Sequence, residues 1–327
     1  MSALVTLGCS SGQSGAGSGG ASGGTPGSGG AAASGGSGGA TAFGAVNVLM
    51  VPQDDATFTV AHGSLTARLY GAASPATPTS IQEEMAGCQL VVPQDVVCTP
   101  ACDSASLCTA TDQCTAKPKA QDLGTLHVTG LQTTSGGASF DVAPGSGNVY
   151  MSETLPYPPC AEGDSIVVQS GAFTVTGKCI GPLTVTSPAP LRLVDAQKNP
   201  IAAALTWSPP SQAGISRIRL ILEISHHGGG SKGEVDCDVP DTGSFTIPQK
   251  LVADLIALGV AGYPTIEVSR VSAASPANAP GVQLLVSTSL LLDVDSGVLS
   301  CGGGSDPASN SCPDGTTCSD GPPYLCQ

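Results

Sequence analysis

Charge is scarce in this chain. Only 11% of its residues are Asp, Glu, Lys or Arg, no lysine or arginine precedes Arg68 or follows Arg270, and the net charge is −14. A polyanion finds no basic footprint here, which excludes nucleic acid and argues against direct contact with an anionic bilayer. Aromatic residues are just as thin, at 3% with one tryptophan, so a carbohydrate-stacking platform has little material. Trp207 is expected in a core, leaving Tyr157 and Tyr324, each beside proline, as the exposed aromatics to test. No uninterrupted apolar run of 18 residues occurs, so no helix is expected to span a bilayer. The C-x2-C pairs common in structural zinc sites are missing, and so is the H-E-x-x-H of metalloproteases. A G-x-S-x-G pattern occurs at Gly20–Gly24, inside a Gly/Ser tract where no strand-to-helix elbow can form.

Glycine and serine, by contrast, dominate residues 10–41. Such a segment buries too little apolar surface to offset its ordering entropy, and reads as a disordered linker reaching about 30 Å r.m.s.. Directly before it, Leu7-Gly8-Cys9-Ser10 resembles a bacterial lipobox, in which a small residue precedes the acylated cysteine. Residues 1–9 are therefore read as a signal-peptide remnant, Cys9 as the lipidation site, and that lipid as the one expected contact with a membrane.

Setting Cys9 aside from the thirteen cysteines leaves Cys88, Cys98, Cys102, Cys108, Cys114, Cys160, Cys179, Cys237, Cys301, Cys312, Cys318 and Cys326, an even set suited to disulfides. Cysteine used this densely implies an oxidising compartment. Spacing does not fix connectivity. Cys160 and Cys179, which bracket two short strands, are expected to bond to each other, and Cys237 is left open as a free thiol.

Short Val/Thr/Leu-rich segments bounded by Gly, Pro and Asp predict a mainly β fold: two β-sandwich-like units of immunoglobulin or fibronectin III type. The first covers 42–181, with a stapled Cys-rich insertion at 98–114 that has no core of its own. In it, strands over 57–61 and 64–70 are expected to turn at His62-Gly63, and Ser80 with Glu83 makes a capping-box pattern for a short helix near 80–86. The second covers 182–296. There 203–210 and 217–224 are expected to form a hairpin, and one helix is expected near 248–258, with Leu251, Leu255 and Leu258 on one face. Residues 297–327 form a Cys-rich tail.

Residues 219–271, centred on "ISHHGGGSKGEVDCDVPDTGSFTIPQK", resemble a block found in disulfide-rich secreted lipoproteins of myxobacteria. The likeness extends more loosely to "CTPACDSASLCTATDQCTAKPKAQDLGTLHVTGL" and to the Gly/Ser leader. It implies an address and an architecture and no particular chemistry.

The sharpest candidates for chemistry are His226 and His227, followed by three glycines and then by Asp236 and Asp238. Imidazole with carboxylate oxygen suits zinc or another divalent metal, provided the chain turns at Gly228–Gly230. Asp293 and Asp295, and Asp314 and Asp320 in the tail, sit beside glycine turns as calcium ligands do, but lack the full ligand series, and turn chemistry accounts for them. No cofactor is expected, with structural calcium or zinc as the alternative. The reading is an exported, non-catalytic lipoprotein, anchored to the outer membrane, displayed at the cell surface or extracellular. It serves as a structural or interaction module whose partner is an envelope or extracellular protein, a polysaccharide or a second copy of itself. The alternative is a secreted metal-dependent hydrolase or metal-binding protein centred on His226 and His227.

Overall fold

Alternation of apolar and polar residues dominates the folded chain, and most of it pairs into one large sheet. The structure, a computed structural model, describes residues 42–53, 60–75, 78–94, 96–227, 232–259 and 262–297, without the side chains of 225–227, 262 and 263. The Gly/Ser linker, Cys9 and the Cys-rich tail lie outside these residues.

The strands in chain order are β1 (Phe43–Val51), β2 (His62–Tyr70), β3 (Thr79–Met85), β4 (Cys88–Pro93), β5 (Ser106–Cys108), β6 (Cys114–Ala116), β7 (Leu126–Thr129), β8 (Ser139–Val142) and β9 (Val149–Met151). They continue as β10 (Ser165–Gln169), β11 (Thr174–Lys178), β12 (Leu191–Arg192), β13 (Ala203–Thr206), β14 (Arg217–His227), β15 (Glu234–Pro240), β16 (Ser244–Ile247), β17 (Gly262–Ala274) and β18 (Val282–Asp295). The helix α1 (Gln249–Ala257) lies between β16 and β17. A ten-stranded sheet runs β3-β4-β15-β14-β17-β18-β1-β2-β9, with β12 also pairing to β18. A four-stranded sheet, β11-β10-β7-β8, and the pair β13-β16 are separate, and β5-β6 is the small hairpin of the Cys-rich insertion.

Two apolar cores lie on one face of the large sheet. The first gathers Val46, Val48 and Met50 of β1 with Leu65 and Leu69 of β2, and adds Ile166 and Phe173 from the four-stranded sheet region. The second gathers Leu220 and Leu222 of β14 with Val235 of β15, Leu205 and Trp207 around β13, and Leu251 and Leu255 of α1. Full burial of each such side chain contributes about 1.5–3 kcal/mol. The helix begins after Pro248 and buries Leu251 and Leu255, as its periodicity predicts, together with Val252, whereas Leu258, expected on the same face, caps the helix and is only half-buried.

The long strands β17 and β18 belong to both cores. Val282, Leu284 and Val286 of β18 face the first, Val294 faces the second, and between them Thr288 stands opposite Arg270 of β17. The expected boundary at 181/182 therefore does not divide the molecule. β1 pairs in parallel with β18, and β4 pairs with β15, so the two parts share one sheet within a single compact unit. Periodicity is a local signal and carries no information about which distant strands pair.

Three local expectations are also corrected. His62 and Gly63 lie inside β2, which pairs with β1 instead of turning back on residues 57–61; of those, 57–59 lie outside the described residues. Residues 79–85 form the edge strand β3, not a helix, because cross-strand pairing with β4 overrides a weak capping signal. β13 pairs with β16 and not with β14, so 203–210 and 217–224 are not a hairpin.

Candidate functional site

Four disulfides are present among the described residues: Cys88–Cys237, Cys98–Cys108, Cys102–Cys114 and Cys160–Cys179. The last is the pair expected from the strands it brackets. Cys237, left open as a free thiol, is bonded to Cys88 directly across from it on the neighbouring strand. Cys301, Cys312, Cys318 and Cys326 lie outside the described residues. Among the described residues, the one His/Cys/Asp/Glu group close enough to share a metal ion is Cys98, Cys102 and Cys108. All three sulfurs are already committed to disulfide bonds.

The histidine and aspartate positions of the metal reading lie at different levels of the β14–β15 hairpin. The backbone of His226 and His227 ends β14, opposite Tyr263 and Gly262, after a register shift that follows Glu223; their side chains lie outside the described residues. Asp236 stands opposite Ile221 and Asp238 opposite Arg219. Measured from His226, those levels are five and seven residues back along β14, roughly 17 and 23 Å at strand rise. Both carboxylates are already engaged. Arg219 forks onto Asp236, with Nε to Oδ1 at 3.0 Å and Nη2 to Oδ2 at 2.7 Å. Arg217 donates from Nε to Asp238 Oδ1 and from Nη2 to its carbonyl.

Beside these pairs lies an acidic stretch of the same sheet face. Glu234 is directly opposite Glu223, and Glu267 is one strand further on. Burial, followed by the nearby charges of Asp236 and Glu223, raises the pKa of Glu234, an effect that Arg219 partly offsets. The carboxyl thus holds its proton to higher pH than a free glutamate.

The most organised polar cluster is one that the sequence analysis did not single out. Arg270 is 2% exposed and sits at the seam between the two cores. Its Nε donates to Asp241 Oδ2 at 2.6 Å, and its Nη groups donate to Asp241 Oδ1 and to the carbonyls of Pro182 and Ser208. Asp241 also accepts from Trp207 Nε1 and Ser216 Oγ, each at 2.7 Å. Trp207 is therefore a core residue, as expected, with its polar handle satisfied. A signal was present in the sequence: Arg270 falls in the same alternating phase as Ile266 and Val268, which places an arginine on the buried face.

Tyr157, expected to be exposed, is half-buried and packs against the first core. Burial pushes its pKa up, and contact with Thr288 lowers it in part. Tyr324 lies outside the described residues. Asp295 accepts the amide of Gly297, the turn chemistry expected of it. On the four-stranded sheet, His127 Nδ1 meets Asp141 Oδ1 at 2.5 Å across the β7–β8 register, as an exposed pair. A shallow groove between the β3–β4 edge and α1 holds Glu83 and Asp254, and Lys250 bridges both carboxylates. No helix among the described residues is long and apolar enough to cross a membrane.

No protein-family model matches the chain, and no curated protein does. Among solved structures it is similar to a tetra-tandem repeat in the extending region of a large adhesion protein, at 13% identity over 77% of this chain and 74% of that one. The TM-score is 0.19, too slight a likeness to carry an inference.

Proposed function

We propose that this chain is an exported, non-catalytic structural or interaction module of the cell envelope, tethered through Cys9 and presented on the Gly/Ser linker. The observation that carries the reading is the covalent framework. Four disulfides cross-link the described body, one of them between neighbouring strands of its main sheet and 149 residues apart in sequence. Such a framework persists in an oxidising compartment and is rare in the cytosol. The use of charge supports the same reading. Asp236 and Asp238, the carboxylates that a metal site would need, serve arginines on the neighbouring strand, so a cation would have to displace them.

Intact and reduced mass spectrometry of protein isolated from its native envelope tests the proposal. The expected result is a mature chain beginning at an acylated Cys9 with its remaining cysteines oxidised. A cytosolic, reduced chain would overturn the reading. Stoichiometric zinc after dialysis without chelator, lost together with activity on substitution of His226 or His227, would replace it with the metal-dependent alternative.

A further inference from the structure

The face of the ten-stranded sheet turned away from both cores is divided in two. On β14 and β15 it carries Arg217, Arg219, Glu223, Glu234, Asp236 and Asp238, largely as cross-strand pairs. On β17, β18, β1, β2 and β9 the three rows from Ser269 to Thr66 carry no charged side chain; Arg217 of β14 bounds them beside Val271, and the exposed Arg68 of β2 bounds them one row beyond Thr66. One register row there reads Val271, Ser287 and Leu49, and the next reads Leu285, Asn47, Thr66 and Met151. Leu49 is 37% exposed and Met151 66% exposed.

We infer that this uncharged half-face docks a second copy of the same chain, face to face. The inference rests on the reading of the chain as an interaction module and names its partner. Charge selects the occupant. Two bodies of net charge −14 repel each other, and they can meet closely only where neither brings a charge out of water or against its like. These rows meet that condition, whereas a charged partner would find a complement only at their margin, on Arg68. The chemistry is also self-complementary, because serine and threonine hydroxyls and the Asn47 amide both donate and accept. No aromatic ring lies among these residues to stack on a sugar.

Size sets the strength. Strands 4.8 Å apart and about six residues long, counted from β17 to the short β9, cover roughly 430 Å² per copy, or about 860 Å² for the pair. That lies below the size of a standard specific interface, so the pair is expected to be weak and transient, with a dissociation constant on the order of 10 µM or weaker. A tether that confines copies to one surface raises their effective concentration enough to populate such a pair.

The test is sedimentation of the oxidised full chain from about 1 to 300 µM at low and high salt, a range that brackets the expected constant. The expected result is a monomer–dimer equilibrium that tightens with salt, because screening removes the mutual repulsion of the acidic bodies. Ser287→Glu, which sets like charges against each other in the pair, is expected to weaken it at least ~tenfold without changing the melting temperature. Thr176→Glu, on the four-stranded sheet, is expected to leave it unchanged. If Ser287→Glu perturbs folding, Met151→Lys at the β9 edge serves in its place. A chain that is monomeric throughout, or a dimer indifferent to Ser287→Glu and Met151→Lys, overturns the inference. A monomer that is still exported, acylated and oxidised overturns self-pairing alone, whereas a cytosolic reduced chain overturns the module reading beneath it.

Discussion

Two arginine–aspartate forks of nearly the same geometry lie on opposite faces of one sheet. On the outer face Arg219 grips Asp236, with side chains 21% and 28% exposed; on the inner face Arg270 grips Asp241, with side chains 2% and 0% exposed. Water still solvates the outer fork, so its attraction is weakened and either residue can lose its partner at little cost. The inner fork has no such alternative. Its arginine also holds the carbonyls of Pro182 and Ser208, and its aspartate holds Trp207 and Ser216, so each charge is part of the packing between the cores. Geometry alone does not set what an ion pair is worth; its surroundings do.

Breaking the inner face should have the largest effects. The Cys88–Cys237 bond closes a loop of 149 residues across neighbouring strands, with both cysteines fully buried. The chain-entropy relation assigns such a loop about 5 kcal/mol. Replacing both cysteines by alanine is expected to lower the melting temperature by roughly 10–20 °C, read by calorimetry. The same replacement at Cys98 and Cys108, which are 10 residues apart and tie the small β5–β6 hairpin to the segment before it, is expected to loosen that insertion and leave the main transition nearly in place. A large main-transition shift from that pair would show that the insertion is part of the folded core.

Arg270→Met comes next. It leaves the Asp241 carboxylate buried beside two neutral donors, and a buried pair broken on one side typically costs about 3–5 kcal/mol. The double replacement Arg270→Met with Asp241→Leu removes both charges and is expected to recover much of that loss. The corresponding cycle at Arg219 and Asp236 is expected to give a coupling of about 1 kcal/mol or less. Equal couplings at the two forks, measured by denaturant unfolding, would contradict the distinction drawn between the faces.

That contrast was half legible in the sequence. The alternation of Ile218, Leu220, Leu222 and Ile224 told which face of β14 is buried, and the 266/268/270 phase placed Arg270 inside, but nothing local named Asp241 as its partner. The apolar run Phe43–Val51 carries period-2 burial, but its partners, β2 and β18, are known only once the sheet is assembled. Ser80 and Glu83 matched a helix cap by spacing; in the sheet Glu83 instead meets Lys250 of α1, a contact made across 167 residues. Of the metal reading, sequence proximity placed His226, His227, Asp236 and Asp238 together, whereas an antiparallel hairpin sets residues side by side by register.

The smallest expected effect lies on the outer face, at Glu234. It stands directly opposite Glu223, and like charges in that position cost a few tenths to 1 kcal/mol. Burial and neighbouring carboxylates raise its folded pKa above the ordinary value of 4.5. The folded protein therefore binds this proton more tightly than the unfolded chain does. Below pH 4.5 the group is protonated in both states and costs nothing; as pH rises toward and through the raised pKa, the folded state alone resists ionisation and stability falls. Glu234→Gln removes that penalty and is expected to stabilise the protein by about 0.5 kcal/mol at pH 7, or 1–2 °C in melting temperature, with no gain at pH 4. A gain of equal size at both pH values would mean that the amide acts through packing and hydrogen bonding, and that charge repulsion on this face is already relieved by Arg219.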